Sequence, residues 1–97
     1  MKPSQSLIRN RIKVLEIISS NPKFSSPRIF GSVARGDDTE SSDIDIILKT
    51  SNDCSYLDLA ALYLELKELL GCEIDLVTYD SLDDVHRLYI ENEWKEI

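Results

Sequence analysis

The most informative part of this sequence is residues 31–45, which read GSVARGDDTESSDID. Asp43 and Asp45 stand two positions apart in an alternating segment, and residues two apart on a strand point to the same face. Both carboxylates can therefore reach towards one cation. Gly31 leaves room for a phosphate to approach the backbone, and Ser32 adds a hydroxyl. This combination is typical of a site for a metal-bound nucleotide triphosphate.

The segments around this stretch alternate between helical and strand patterns, without repeats. Helical spacing predicts one helix from Ser4 to Ser20 and a turn of helix from Ser32 to Gly36. The other predicted elements are strands at 28–30, 43–49 and 72–79, a long helix at 56–70, and a last helix opened by Ser81 with Asp84. The sequence therefore predicts a mixed α/β fold, with a small sheet of about three strands flanked by helices, as a single domain over residues 1–97.

The helix predicted at 56–70 has the clearest boundaries in the chain. Ser55 is a suitable N-cap, and Gly71 stands where a C-terminal cap belongs. Leucines occupy nearly all sides of this helix. Such a helix is expected to be largely covered, either by the core of its own chain or by another chain.

A third carboxylate, Asp75, interrupts the apolar strand pattern of residues 72–79. If this strand lies beside that of Asp43 and Asp45, three carboxylates converge on one open face. A two-metal site, with ions about 3.5–4 Å apart, needs about that many anionic ligands. The alternative is that Asp75 is a solvent-facing residue on an edge strand, and that the Asp43–Asp45 pair is a polar strand face.

Other motif interpretations fail on specific residues. Gly31 and Gly36 have the glycine spacing of a P-loop, but Asp37 stands where the lysine is required. The acidic loop lacks the glycine and terminal glutamate of an EF-hand. The single histidine, His86, is expected to have a surface or capping role, which leaves no Ser-His-Asp triad. Trp94 is expected to close the core or an interface.

Composition narrows the class of protein. The 97 residues include 18 acidic and 11 basic ones, for a net charge of -7. Because nucleic acid is bound mainly through Lys and Arg, direct nucleic-acid binding is not expected. An acidic surface suits a basic protein partner or cations, although it can also serve solubility alone. The two cysteines match neither a zinc site nor a redox pair, and no apolar run reaches membrane-spanning length. We therefore expect a cytoplasmic protein with reduced thiols.

Gly31-Ser32, ten intervening residues, then Asp43-Ile44-Asp45 resemble the G-S-x10-D-x-D signature of the DNA-polymerase-β-like nucleotidyltransferase superfamily. The fuller string over residues 31–45 resembles the minimal nucleotidyltransferase (MNT) branch. Members of that branch are commonly antitoxins paired with HEPN ribonuclease toxins. The resemblance extends over the whole chain in length and element order, while its diagnostic residues are confined to this string and, more weakly, to Asp75.

The resemblance implies a role for each matching residue. Gly31 and Ser32 would bind the triphosphate of ATP, and Asp43 and Asp45 would hold Mg²⁺. Asp75 would be the third metal-binding and catalytic carboxylate of a two-metal site, and it would help to deprotonate the acceptor hydroxyl. Arg35, assigned with the nucleotide-binding residues, would steady a phosphate or brace the acidic loop.

The resemblance also implies an activity and a partner. An acceptor hydroxyl would attack the α-phosphate of ATP, with pyrophosphate leaving. The expected acceptor is a tyrosine of a HEPN toxin, which AMPylation would silence within a hetero-oligomer of toxin and antitoxin. Two alternatives stay open at the level of sequence. One is a non-catalytic antitoxin that acts by complex formation, and the other is nucleotide transfer to RNA or a small molecule.

Overall fold

The protein is described by a computed structural model that covers residues 1–97. Its helices and strands follow one another in the order α1 (Pro3–Arg9), α2 (Arg11–Ser19), β1 (Phe24–Phe30), α3 (Gly31–Arg35), β2 (Ile44–Thr50), α4 (Tyr56–Leu70), β3 (Ile74–Thr78), a 3-10 turn (Tyr79–Ser81), α5 (Asp84–Glu91) and β4 (Lys95–Glu96). The predicted mixed α/β architecture is confirmed.

The four strands form one mixed sheet in the order β3-β2-β1-β4. Strand β2 runs antiparallel to β1 and parallel to β3, and β4 pairs antiparallel with the outer side of β1. The sequence predicted about three strands and did not include β4. A two-residue strand gives almost no alternating pattern, so only its pairing with β1 identifies it.

The hydrophobic core lies between the sheet and the helices α2 and α4. The inward face of β2 contributes Ile44, Ile46 and Leu48, none of which is more than 1% exposed. Helices α2 and α4 supply the facing apolar side chains, among them Val14, Ile18, Leu62, Leu66 and Leu70. The outward face of β2 carries Asp45, which places the candidate site on the opposite side of the sheet from this core.

Helix α4 has the boundaries that the sequence predicts. The Ser55 side chain accepts a hydrogen bond from the Asp58 amide, and the Asp58 carboxylate accepts one from the Ser55 amide at 2.9 Å. Gly71 ends the helix with φ +68°, a conformation that favours glycine. The expected cover is incomplete within this chain, because Leu57 and Leu64 are exposed.

Two sequence predictions about helices are wrong. The single helix predicted from Ser4 to Ser20 is two helices that meet at Asn10, where φ -108° and ψ 15° interrupt the helical geometry. The last helix is capped by Asp83, whose carboxylate accepts from the His86 amide at 2.9 Å, and not by Ser81 with Asp84. Ser81 instead donates its hydroxyl to the Thr78 carbonyl within the 3-10 turn.

None of the helices is long and apolar enough to cross a membrane.

Candidate active site

The three predicted aspartates lie at the end of the sheet where β2 and β3 begin. Asp45 is the second residue of β2 and Asp75 the second of β3, and the parallel register pairs these two residues directly. Asp43 immediately precedes β2 and is exposed. The expectation that the strand of Asp75 lies beside that of Asp43 and Asp45 is therefore confirmed.

Asp45 is the electrostatic centre of this group. Burial raises its pKa from 3.8 to about 6, and the neighbouring charges of Asp75 and Asp43 and a hydrogen bond shared with Asp75 add to the rise. The positive charge of Arg35 opposes it. Each of these causes except Arg35 disfavours the ionised carboxylate. A bound proton or cation near Asp45 would therefore relieve the electrostatic repulsion in the site.

Gly31 lies directly against this carboxylate. The residue follows β1, opens α3 and has φ +69°, in the left-handed region that favours glycine. A Cβ atom at this position would collide with the Asp45 carboxylate and lie only 3.0 Å from its Cγ. The close approach of the Gly-Ser turn to Asp45 is therefore possible only because residue 31 has no side chain.

Ser32 and Arg35 belong to the single turn of helix that follows, which confirms the predicted helical turn within one residue. Gly36 ends this turn with φ +80°, and its amide donates to the Ser32 carbonyl at 3.0 Å. Ser32 is half-buried beside Gly31. The turn thus holds the Gly-Ser pair in one defined conformation at the edge of the carboxylate group.

The guanidinium of Arg35 is held by two carboxylates. Its Nη1 donates to Glu93 at 3.0 Å, and its Nε donates to Asp37 at 3.4 Å. The hydrogen bond to Glu93, and the charges of both carboxylates, raise the pKa of Arg35 against the opposing effect of its partial desolvation. Of the two predicted roles of Arg35, bracing the acidic loop is the one that these contacts match.

Two residues at the site were missed by sequence reasoning. Glu93 binds both Arg35 and the amide of Gly31, which donates to its Oε1 at 3.0 Å. Asp38 is buried, and its Oδ2 accepts from the Ser4 amide at 2.9 Å, which ties the acidic loop to the start of α1. Burial would raise the pKa of Asp38, but the hydrogen bonds from Ser4 lower it below its usual value. Neither partner is near in sequence, so no local pattern indicates these contacts.

The two residues that the sequence set aside are placed as expected. His86 is exposed on α5 and its Nδ1 lies 2.8 Å from the Asp83 carboxylate, so it has the predicted surface and capping role. Trp94 packs its ring 4.5 Å from the Arg28 guanidinium and 6.2 Å from the Tyr79 ring. It therefore closes the junction between β1 and the C-terminal segment.

The donor set of the site fits a hard divalent cation. Carboxylate oxygens are the ligands that Mg²⁺ prefers, and the raised pKa of Asp45 shows that the group gains from added positive charge. No three acidic, thiol or imidazole side chains converge closely enough to hold a metal by themselves. Mg²⁺ in nucleotide sites commonly takes only one or two protein carboxylates and completes its shell with phosphates and water. The two-metal arrangement stays a prediction.

An apolar groove of about 650 Å³ lies between α4 and β3. Its lining is mainly hydrophobic and includes Tyr56, Leu59, Tyr63 and Leu76. None of the six predicted site residues lines it, so its chemistry does not suit a triphosphate. A nucleotide site at the carboxylates and the Gly-Ser turn stays a prediction.

The Gly-Ser turn lies against paired aspartates at one end of the mixed sheet, as in the nucleotidyltransferase signature that the sequence resembles. Residues 12–97 match the family model described as "Polymerase beta, Nucleotidyltransferase". Since the match covers most of the chain, the chain belongs to the polymerase β nucleotidyltransferase family. Activity of the transferase class, with a nucleotide as substrate, follows from this membership.

Two relatives from Methanocaldococcus jannaschii carry the name "Putative protein adenylyltransferase". The chain is 46% identical to MJ0435 over 65 residues, which are 67% of this chain and 70% of the relative. It is 37% identical to MJ1217 over 81 residues, which are 84% of this chain and 80% of the relative. The chain is thus similar to proteins named for transfer of an adenylyl group to protein.

Two solved structures have the same fold. One, described as a "putative minimal nucleotidyltransferase", matches with a TM-score of 0.86 and 32% identity over 97% of this chain and 95% of that one. The other is a chain from a toxin-antitoxin crystal structure with AMP-PNP, with a TM-score of 0.77 and 26% identity over 89% of this chain and 70% of that one. The predicted resemblance to minimal nucleotidyltransferases of toxin-antitoxin systems is therefore confirmed.

Proposed function

We propose that this chain transfers AMP from ATP to a tyrosine hydroxyl of a HEPN ribonuclease toxin, and that this AMPylation neutralises the toxin. The observation that carries the proposal is the pairing of Asp45 with Asp75 directly beside the Gly31 turn. Membership in the nucleotidyltransferase family and similarity to proteins named as adenylyltransferases support the chemistry. Similarity to a chain of a toxin-antitoxin structure with AMP-PNP supports the partner and the adenine nucleotide.

The residues of the chain divide the work. Gly31 and Ser32 bind the triphosphate, because the turn presents backbone without a side chain and a hydroxyl at the edge of the site. Asp43 and Asp45 hold Mg²⁺, which when bound supplies the charge neutralisation that phosphoryl transfer requires. Arg35 steadies the acidic loop through Asp37 and contributes positive charge near Asp45.

Asp75 is the proposed base for the acceptor. As the tyrosine oxygen forms its bond to the α-phosphorus, the bond from that phosphorus to the bridging oxygen breaks and pyrophosphate leaves. The hydroxyl proton passes to the Asp75 carboxylate, which is exposed and therefore accessible to a second protein. Holding the acceptor and ATP in line supplies much of the rate.

The surface of the chain suits a protein partner. Leu57 and Leu64 on α4 and Leu88 and Tyr89 on α5 are each more than 60% exposed. Leu57 and Leu64 are seven residues apart and share one face of α4, and an exposed apolar face is typical of a surface that another protein covers. The net charge of -7 favours a basic partner.

The proposal is tested by incubating the protein with ATP, Mg²⁺ and its cognate toxin, and by measuring the intact mass of the toxin. We expect an AMP adduct on a tyrosine, formed with wild type and absent with an Asp43→Asn/Asp45→Asn variant. A Glu40→Gln/Asp84→Asn variant is the matched control, because it removes two carboxylates that are more than 80% exposed and lie outside the site.

The alternatives give different outcomes in the same experiment. A toxin that acquires no AMP but is neutralised equally by the Asp43→Asn/Asp45→Asn variant would identify a non-catalytic antitoxin. AMP found on RNA or on a small molecule, with unmodified toxin, would identify another acceptor. Either result contradicts the proposed function.

A further inference from the structure

Glu93 binds two groups of the nucleotide site at once. Its Oε1 accepts the amide of Gly31 at 3.0 Å, and its Oε2 accepts Nη1 of Arg35 at 3.0 Å. The side chain of Glu93 is only 17% exposed, compared with 86% for Glu96 three residues later. One carboxylate therefore links the backbone of the Gly-Ser turn to the guanidinium at its far end.

The connection between α5 and β4 brings Glu93 to the Gly-Ser turn. Strand β4 pairs antiparallel with β1 through Arg28 with Glu96 and Ile29 with Lys95. Glu93 lies in the turn between α5 and β4, where its amide donates to the Ile90 carbonyl at 3.0 Å. The backbone amide of the next residue, Trp94, donates a hydrogen bond to the Ile90 carbonyl at 2.8 Å, and the Trp94 ring packs against the Arg28 guanidinium. The backbone of Glu93 is thus held between the end of α5 and the start of β4.

We infer that Glu93 is a positioning residue of the nucleotide site, which fixes the Gly31 turn and Arg35 for binding of the ATP triphosphate without itself touching the nucleotide. The inference rests on the proposed function for the identity of that nucleotide. It gives the C-terminal segment a part in the site, although the predicted site residues lie only in residues 31–45 and at Asp75.

The geometry around Gly31 supports positioning. The missing Cβ of Gly31 faces the Asp45 carboxylate, while its amide points to Glu93. The turn is therefore held between two carboxylates, one on β2 and one in the turn after α5. Hydrogen bonds to a charged group are stronger than neutral ones, and both bonds of Glu93 are of this kind. Release of either would let the turn move relative to Asp45.

Measurement of ATP binding tests whether Glu93 positions the site or instead competes with the phosphates for it. In the presence of Mg²⁺, we expect Glu93→Ala to raise the Kd for ATP in calorimetry, and the KM for ATP, about three- to tenfold, with a smaller change in kcat. Glu93→Gln should restore only part of the affinity, because its amide oxygen can still accept from Gly31 but its NH2 group cannot accept from Arg35. Glu96→Ala, which removes an exposed carboxylate of the same segment, should match wild type.

The outcomes against the inference are equally defined. Unchanged ATP affinity in Glu93→Ala would show that the two hydrogen bonds do not position the site. Tighter binding would show that Glu93 competes with the phosphates for the Gly31 amide and Arg35. Either result overturns the inference.

A second measurement uses the nucleotide-free protein. Amide exchange at Gly31, followed by NMR, should be faster in Glu93→Ala than in wild type, Glu93→Gln and Glu96→Ala, while exchange in the core of β2 stays unchanged. Unchanged exchange at Gly31 would contradict the inference. If ATP binds and responds to Glu93 but no AMP reaches the toxin, only the proposed function fails. If AMP is transferred and Glu93→Ala changes neither affinity nor exchange, only the inference fails.

Discussion

The two faces of strand β2 differ in chemistry, because alternate residues place apolar side chains on one face and a carboxylate on the other. Ile44, Ile46 and Leu48 point into the core and are almost fully buried, whereas Asp45 points towards Asp75 on the other face. Burial of the apolar face stabilises the fold. The carboxylates on the opposite face repel one another, and this repulsion contributes to the raised pKa of Asp45. A single strand thus holds an unfavourable charge arrangement in place with the stability gained on its other side.

Because of this difference, substitutions on the two faces of β2 should affect stability and activity separately. A change on the core face should damage folding first, and a change of the Asp45 carboxylate should damage chemistry while it spares or improves stability. Catalytic groups are generally held in arrangements that cost the free protein stability. The following predictions test this separation, beginning with the largest expected effect.

Asp45→Asn should lower the rate of AMP transfer by about 10²–10³-fold, or about 3–4 kcal/mol in the activation free energy. The reason is that the amide has no charge with which to hold Mg²⁺. Thermal unfolding should show a midpoint equal to or above that of wild type. Loss of activity together with a lower midpoint would mean that Asp45 is needed for folding and would break the separation of the two faces.

Ile46→Ala should lower the free energy of unfolding by about 2–4 kcal/mol, because Ile46 is completely buried in the core. Urea denaturation measures this loss. Ile8→Ala is the matched control, since Ile8 is 76% exposed and its truncation should cost less than about 0.5 kcal/mol. Equal losses in the two variants would contradict the described core.

Gly31→Ala and Gly36→Ala should differ in function but share a cost in stability. Both residues have positive φ, so Gly36→Ala should cost about 1–2 kcal/mol in the free energy of unfolding, and Gly31→Ala should cost more because its Cβ also meets Asp45. Only at Gly31 would the new Cβ collide with Asp45, whereas nothing lies within 4 Å of the corresponding position at Gly36. AMP transfer should therefore fall strongly in Gly31→Ala alone. Similar activity of the two variants would show that the close approach to Asp45 has no functional importance.

The pH dependence of stability should report the charge repulsion on the site face. The pKa of Asp45 is about 6 in the folded protein and near 3.8 when unperturbed, so the folded state binds its proton more tightly. Its contribution to stability is full below about pH 3.8 and is lost as the pH rises through 6. In metal-free buffer, Asp45→Asn should therefore gain about 1–2 kcal/mol over wild type between about pH 4 and pH 8, after allowance for solvent screening. Urea denaturation at several pH values checks this, and a constant difference would contradict the raised pKa.

Local patterns were sufficient for the elements that carry their own signals. Helix α4 begins after Ser55 and ends before Gly71 because both caps act on adjacent backbone groups. The alternation in β2 correctly placed Asp45 on the face opposite Ile44 and Ile46. The break at Asn10 was missed because apolar residues continue at helical spacing on both sides of it.

The sequence predicted the residues of the candidate site, but not the residues that hold them in place. The 31–45 string contains Gly31, Ser32, Asp43 and Asp45 within fifteen residues, so one motif predicts both the turn and the carboxylates. Glu93 and Asp38 act through partners 62 and 34 positions away in the chain. Their contacts depend on the connection between α5 and β4 and on the packing of α1, which no short-range pattern encodes.

The sequence by itself determined the mixed α/β class, the Gly-Ser turn and the aspartate pair, because each depends on residues close together in the chain. Only the tertiary structure decided that Asp75 pairs with Asp45, that Gly31 touches the Asp45 carboxylate, and that Glu93 completes the support of the turn. These decisions follow from strand order and register, which are set by the burial of one whole face of the sheet and not by any residue alone.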